Sequence, residues 1–110
     1  MANSFTRKVQ RGVGTTLTAI GSYVVPAATQ VAAVGLTVAN TTTAAITVDI
    51  TLNDGTTDTY VVKDAPIPAG GTLVAVGGEQ KIVMAPGDSI KVKSNTAASC
   101  DAILSLLELT

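Results

Sequence analysis

The stretch ITVDITLNDGTTDTYVVK, residues 46–63, decides the fold. Apolar side chains occupy every second position of residues 46–52, and threonine or aspartate fills the positions between them. This period of two predicts a strand with one buried face and one polar face. Residues 53–55, Asn-Asp-Gly, tolerate the left-handed backbone that a tight reversal needs, and residues 57–63 then return as a second strand. We therefore predict an antiparallel hairpin here.

Outward from the hairpin, glycine and proline divide the chain into short segments rich in valine, isoleucine and threonine, which is typical of an all-β sandwich or barrel. Gly21 and Gly35 interrupt two of these segments and mark places for a bulge or a close backbone approach. Pro26 lies in a predicted turn, and two prolines make residues 64–71 a predicted extended connector. Besides the hairpin, strands are predicted at residues 17–25, 30–40, 72–76, 80–84 and 89–94.

The stretch MAPGDSIKV, residues 84–92, raises the question of whether its acid belongs to a ligand site or to a turn. Pro86 sets φ for the first central position of a turn, and Gly87 supplies the positive φ that a type II turn requires at the second. Asp88 is then placed to hydrogen-bond the local backbone where a strand begins. We interpret the stretch as a corner of the fold.

The segment SCDAILSLLEL, residues 99–109, fits two structures. Ser99 and Asp101 are able to start a helix, while a strand over the same residues has apolar side chains on both sides. The strand is favoured because nothing else in the chain is helical, and the pattern is that of a strand buried on both faces. With it, we predict an all-β fold: an antiparallel β-sandwich of about eight strands with an extended N-terminal arm.

The composition points to one domain with a partner. A chain of 110 residues is long enough for one modest core. It is 46% hydrophobic and only 14% charged, against about 25% charged in ordinary soluble domains. A surface with so few charges is poorly solvated, so we expect a partner to cover part of it. The three aromatic residues are scattered and make no platform for stacking bases, so no nucleic-acid partner is predicted.

Side-chain chemistry argues against an enzyme, a cofactor and a metal site. The chain has no histidine, which removes the usual general base and the commonest transition-metal ligand. Its one cysteine, Cys100, is interpreted as a small apolar residue of the core. Asp54 and Asp58 flank the hairpin turn without the ligand spacing of a calcium loop. The glycine-rich AGG and VGGE lack the lysine of a phosphate loop.

Charge divides the chain unevenly. Three basic residues and no acid give residues 1–14 a charge of +3, while four lysines against eight acids leave residues 15–110 at −4. We therefore predict a basic N-terminal arm, residues 1–14, followed by a β-sandwich domain, residues 15–110. A basic arm suits an acidic surface, such as that of a neighbouring copy.

Apolar residues alternate with the charges of the arm, whereas mobile tails are usually polar throughout. The alternatives are a disordered terminus and an arm that orders on a neighbouring subunit, where its phenylalanine becomes buried and its arginines pair with acids such as Asp49 or Asp58. The predicted interface residues of the arm are Phe5, Arg7, Lys8, Val9, Arg11 and Val13.

Four quoted stretches carry a resemblance to a known group of proteins: GLTVANTT at residues 35–42, KDAPIPAG at 63–70, PGDSIKV at 86–92 and NTAASCDAILSLLE at 95–108. In these stretches the chain resembles small virion structural proteins of tailed bacteriophages, common among phages of marine bacteria and cyanobacteria. The similarity runs from about Gly35 to Glu108, about two-thirds of the chain. It implies a β-sandwich present in many copies on the virion, assembled in the host cytoplasm, and it brings no catalytic motif.

Three functions are compatible with this resemblance and with the composition. The first is a capsid decoration (cement) protein that stabilises the shell by binding neighbouring subunits. The second is a ring component of the neck, of the head-tail joint or of a tail adaptor. The third is a carbohydrate-binding attachment module, for which Tyr23 and Tyr60 offer few aromatic rings.

The expected partners are other phage structural proteins, either the major capsid protein or neck and tail proteins, together with copies of the same chain. No membrane partner is predicted, because no apolar run reaches the length of a span and the N-terminal residues lack the apolar core of a secretory signal. Deleting residues 1–12 is expected to leave the sandwich folded and to weaken incorporation into particles.

Overall fold

Two antiparallel sheets build the protein in a computed structural model that describes residues 3–77 and 81–110. Sheet A has the strand order β1-β9-β3-β6, and β7 also pairs with β3. Sheet B has the order β2-β8-β4-β5. The strands are β1 (Asn3–Val13), β2 (Thr18–Ala19), β3 (Gln30–Asn40), β4 (Ile46–Asn53), β5 (Asp58–Ile67), β6 (Thr72–Val76), β7 (Ile82–Met84), β8 (Ser89–Ser94) and β9 (Cys100–Leu109), with one 3₁₀ turn at Ile20–Ser22.

The predicted all-β sandwich is confirmed, with nine strands where about eight were expected. The additional strand is β1, because residues 3–13 of the predicted arm pair antiparallel with β9 along most of their length. Alternating side chains let this segment lie as a strand, and the pairing satisfies backbone groups that a free arm leaves to water. Strand β1 forms one edge of sheet A.

The core lies between the sheets and is aliphatic. Strands β3, β8 and β9 contribute alternate side chains to it, and burying a leucine or isoleucine contributes about 1.5–3 kcal/mol. Cys100 is fully buried among these residues, as predicted. Among the largest fully buried side chains are Ile20, Leu36, Ile46, Ile50, Ile67, Met84, Ile90, Leu104 and Leu106.

The hairpin is confirmed as β4 and β5, with two differences from the prediction. Its polar face is not left to solvent, since Asp49 and Thr51 are buried at 6% and 0% exposure. Strand β5 also continues to Ile67, into the predicted connector, after a bulge at Asp64, where φ is 52°. Pro66 has no N–H to donate to a neighbouring strand. It is tolerated there because β5 is an edge strand, which has no neighbour on its open side.

The predicted strand at residues 17–25 is wrong over most of its length. Only Thr18–Ala19 form a strand, because Gly21 takes a φ of 61° and turns the chain into the 3₁₀ segment. Gly21 is also a close approach, as predicted: a Cβ added there lies 2.8 Å from Cβ of Lys8. Gly35 follows a register shift in β3, so the predicted bulge is confirmed as well.

The ambiguous segment is strand β9, paired with β1 on one side and β3 on the other. The corner at residues 84–92 is also confirmed. The N–H of Asp88 donates to the carbonyl of Ala85 at 3.0 Å, Gly87 has a φ of 91°, and the Asp88 carboxylate accepts from the N–H of Ala85 at 2.9 Å. Gln80, the predicted first residue of the β7 strand, lies outside the described residues, as do Gly78 and Glu79 of the VGGE loop.

Candidate interaction surface

Strand β1 presents its residues alternately to solvent and to the sandwich. Phe5, Arg7 and Val9 are exposed on the outer side, and Arg11 is exposed where the register with β9 shifts. Neither arginine forms an ion pair with a residue in the described ranges. Four of the six predicted interface residues are therefore accessible to a partner.

The other two predicted residues belong to the sandwich. The Lys8 ammonium lies 5.3 Å from the ring centroid of Tyr23, a cation-π contact on the inner side of β1. Beside it, the N–H of Gly21 donates to the side-chain carbonyl of Gln10 at 3.1 Å. Val13 is 2% exposed and packs in the core, so it has no surface for a neighbour. Its assignment to the interface is wrong because β1 carries it between the two sheets.

Two apolar rows cross the outer face of sheet A. Residues opposite each other in antiparallel strands point to the same side, so the strand register defines each row. One row, running from β1 to β7, consists of Phe5, Leu107, Ala32 and Val83. The other, running from β1 to β6, consists of Val9, Ile103, Thr37 and Val74.

This outer face of sheet A holds most of the large exposed apolar side chains of the described chain. Seven such side chains are exposed in residues 3–77 and 81–110, and the only two that lie elsewhere are Val24 and Tyr60. Contiguous exposed apolar patches mark interaction sites, whereas single exposed residues carry no such meaning. The five on the face are Phe5 (79% exposed), Val9 (44%), Val74 (62%), Val83 (77%) and Ile103 (47%).

Sheet B has a polar outer face by contrast. Asp49 accepts a hydrogen bond from the N–H of Asp64 at 2.7 Å, and its carboxylate lies 3.6 Å from the Lys93 ammonium. Asp49 was a predicted acceptor for the arm of a neighbouring copy, and that prediction is wrong because the carboxylate is buried and already paired. Thr51 donates to the Asp58 carboxylate at 3.1 Å. The two faces of the sandwich therefore differ in chemistry.

The acids of the hairpin turn are held by local donors. Backbone N–H groups of Thr57 and Thr56 lower the pKa of Asp54, and the side-chain amide of Asn53 is the largest cause of the lowered pKa of Asp58. Burial raises the pKa of the Cys100 thiol. No group of three or more histidine, cysteine, aspartate or glutamate side chains within the described ranges is arranged to hold a metal ion.

The two tyrosines have different environments. Tyr23 is 9% exposed and its hydroxyl donates to the Glu108 carboxylate at 2.6 Å, so its ring is not available to a sugar. Tyr60 is about half exposed, with the Lys63 ammonium 4.8 Å from its ring centroid. Of the two tyrosines considered for a carbohydrate site, Tyr60 is therefore the one with an exposed ring.

The sequence reasoning missed the part of the face that lies outside β1. Ile103 and Leu107 belong to the second apolar side of β9, which was expected to be buried, and which the single chain leaves facing outward. Val74 and Val83 come from short strands whose place beside β3 depends on the sheet order. Apolar residues on both sides of β9 were the available signal.

Within the described ranges, no helix is long and apolar enough to cross a membrane.

Comparisons with known proteins show similarity of fold alone. No family model matches the chain, and no curated protein matches it in sequence. A chain from the acid-stable capsid of Helicobacter pylori bacteriophage KHP30 superposes with a TM-score of 0.58 at 10% identity, covering 100% of this chain and 89% of that one. A chain from Bacillus endospore appendages, which are disulfide-linked pili, superposes with a TM-score of 0.55 at 15% identity. That alignment covers 97% of this chain and 84% of the appendage chain.

Proposed function

We propose that this protein is a non-enzymatic structural component of a bacteriophage particle, present in many copies. The observation that carries the proposal is the apolar outer face of sheet A, which a single chain leaves exposed to water. The similarity of fold to a phage capsid chain and to a pilus chain supports a role in an assembly. The resemblance in sequence to virion structural proteins points in the same direction.

The specific role that we propose is capsid decoration. A protein that binds across neighbouring shell subunits stabilises the assembled shell by mass action, because it binds the closed lattice and not the separated subunits. Arg7 and Arg11, exposed without an ion-pair partner in the described chain, are suited to an acidic shell surface at the edge of the apolar face.

Copy number tests this role. Quantitative mass spectrometry of purified virions should find on the order of hundreds of copies per particle, as a surface lattice needs. A count of about six or twelve copies would instead indicate a ring at the neck, the head-tail joint or the tail adaptor, and would contradict capsid decoration. Absence from purified virions would overturn the structural role altogether.

Point substitutions test the face better than the deletion of residues 1–12. Because β1 is a strand of sheet A, that deletion would also expose the edge of β9. Val83→Glu places a charge on the face, whereas Val24→Glu places one on another exposed apolar residue outside it. We expect Val83→Glu to reduce incorporation into virions and Val24→Glu to leave it unchanged. Equal incorporation of both variants would mean that the outer face of sheet A does not take part in binding to the particle.

A further inference from the structure

We infer that the outer face of sheet A packs against the same face of a second copy, around a two-fold axis parallel to the strands. The second copy is the partner of this face, and only the setting of the dimer, a phage particle, rests on the proposed function. Its physical basis is the relief of the face, its area and the position of its charges.

Large and small outward side chains alternate from strand to strand, and we call this pattern the relief of the face. On β9, Ile103 and Leu107 form a ridge, while the neighbouring outward positions of β3 carry the small residues Ala32, Gly35 and Thr37. The central pair of strands therefore presents one ridge beside one groove. The strands on either side carry large side chains again. On β1 these are Phe5 and Val9, and on β6 and β7 they are Val74 and Val83.

This relief is self-complementary. A two-fold axis that runs between β9 and β3 lays β9 of one copy over β3 of the other, so that each ridge of Ile103 and Leu107 enters the other copy's groove. The same rotation lays β1 over β6 and β7, where the large side chains of the two copies meet, so the fit of ridge into groove belongs to the central strands β9 and β3. A two-fold interface requires such a surface, in which each side supplies both the ridge and the groove. Sheets packed face to face interdigitate in this way at about 10 Å separation.

The area is sufficient for a stable dimer. Four strands at about 4.8 Å spacing make the face about 19 Å wide, and the ten residues of β9 make it about 34 Å long. Each copy therefore contributes roughly 650 Å², and the pair buries roughly 1,300 Å², within the range of specific interfaces.

The charges lie at the margins of the packed face. Asp101 is on the outer side of β9 near the start of that strand, where its carboxylate accepts a hydrogen bond from the N–H of Gly12 at 2.9 Å. Arg7 and Arg11 lie on β1, at one edge of sheet A, and the rotation carries those of the second copy to the opposite edge. The two sets are then separated by three strand spacings, about 14 Å, which is longer than the Debye length of about 8 Å at physiological salt. Arg7 lies between Phe5 and Val9 on the covered side of β1, and because β1 is the edge strand its long side chain extends past the rim to water, as does that of Arg11.

Sedimentation of the purified full chain tests the inference. Between about 1 and 200 µM, the mass should rise from the 11.0 kDa of one chain to twice that value, as expected for micromolar affinity. Ile103→Glu, which puts a charge at the centre of the face, should weaken dimerisation at least about tenfold. Val24→Glu is the matched control, because Val24 is as exposed as Ile103 but lies off the face, and it should leave the dimer unchanged.

Circular dichroism and thermal melting of both variants establish that they remain folded, which is expected at exposed positions. A monomer over the whole concentration range, or a dimer that Ile103→Glu leaves intact, overturns the inference. Either result is independent of the copy number in virions, so failure of the dimer and failure of the particle role are distinguishable. A monomer that loses shell binding on Ile103→Glu would assign the face to the shell instead.

Discussion

Gly21 sets the contact between strand β1 and the 3₁₀ turn that follows β2 of sheet B. Its φ of 61° is in the left-handed region, and its missing side chain lets Lys8 approach to a distance that a Cβ atom does not permit. The backbone N–H of Gly21 also bonds the Gln10 side chain. One position therefore combines a backbone requirement with a packing requirement.

Gly21→Ala should separate these two requirements when compared with Gly70→Ala. Gly70 has a φ of 70° and nothing within 4 Å of an added Cβ, so alanine there meets only the backbone strain of about 1–2 kcal/mol. At Gly21 the contact with Lys8 adds about 1–3 kcal/mol. Denaturant unfolding should show Gly21→Ala to be the less stable variant, and equal losses would mean that Lys8 moves aside freely.

At the scale of elements, the β4–β5 hairpin depends on one buried acid. The bulge at Asp64 points its N–H at the Asp49 carboxylate, and Lys93 of β8 lies against the same group. Asp49 therefore joins three adjacent strands of sheet B and allows β5 to resume pairing up to Ile67. The bulge and its acceptor explain why a pattern with a clean period of two has a buried acid on its polar side.

Asp49→Ala should destabilise the protein by about 2 kcal/mol, because it leaves a part-buried N–H and the Lys93 ammonium without their acceptor. Asp64→Asn is the control: it keeps the N–H, tolerates the positive φ and removes only an exposed pair with Lys63, worth less than about 1 kcal/mol. Chemical denaturation measures both. A loss no larger in Asp49→Ala than in the control would mean that water replaces the carboxylate.

At the scale of the whole molecule, Tyr23 connects the chain after the 3₁₀ turn to the central strand of sheet A. Burial, followed by the hydrogen bond and the charge of Glu108, raises the pKa of the Tyr23 hydroxyl above its ordinary 10.0. The folded protein thus holds a proton that the unfolded chain releases above pH 10. By linkage, this contribution to the free energy of unfolding is complete below pH 10 and is lost as the pH rises beyond it.

Thermal melts between pH 8 and pH 12 should therefore show stability falling above about pH 10. Tyr23→Phe should be less stable at pH 8, since Glu108 loses its donor, and should show a shallower fall in the alkaline range. Tyr60→Phe removes the other tyrosine and should keep the fall of the unmodified chain. If the stability of Tyr23→Phe falls as steeply with pH as that of Tyr60→Phe, deprotonation of the lysines and not of Tyr23 governs alkaline unfolding.

Local chemistry accounts for the parts of the fold that the sequence predicts correctly. The predicted strands at residues 30–40, 72–76 and 89–94 match β3, β6 and β8, since alternation and turn residues act over a few positions. The failures have nonlocal causes. Residues 17–25 look extended by composition, yet the positive φ of Gly21, packed against Lys8, bends them. Strand β5 accommodates Pro66 because it lies at an edge.

The candidate surface was predicted in part for the same reason. Phe5, Arg7, Val9 and Arg11 were identified from their own alternation, whereas Val74, Val83 and Leu107 join them only through sheet order. Val13 was assigned wrongly because nothing local distinguishes the last residue of an exposed strand from the first residue of the core.

The sequence by itself determined the all-β class, most of the strand segments, the corner at Pro86 and the aliphatic core, because these depend on neighbouring residues. Only the tertiary structure decided that β1 pairs with β9, about one hundred positions away in the chain, and which apolar side of β9 is covered. Pairing between distant strands is selected by the packing of the whole sandwich, and a period of two is the same on either side of a strand. The outward apolar face, on which the proposed function depends, therefore becomes visible only in the assembled fold.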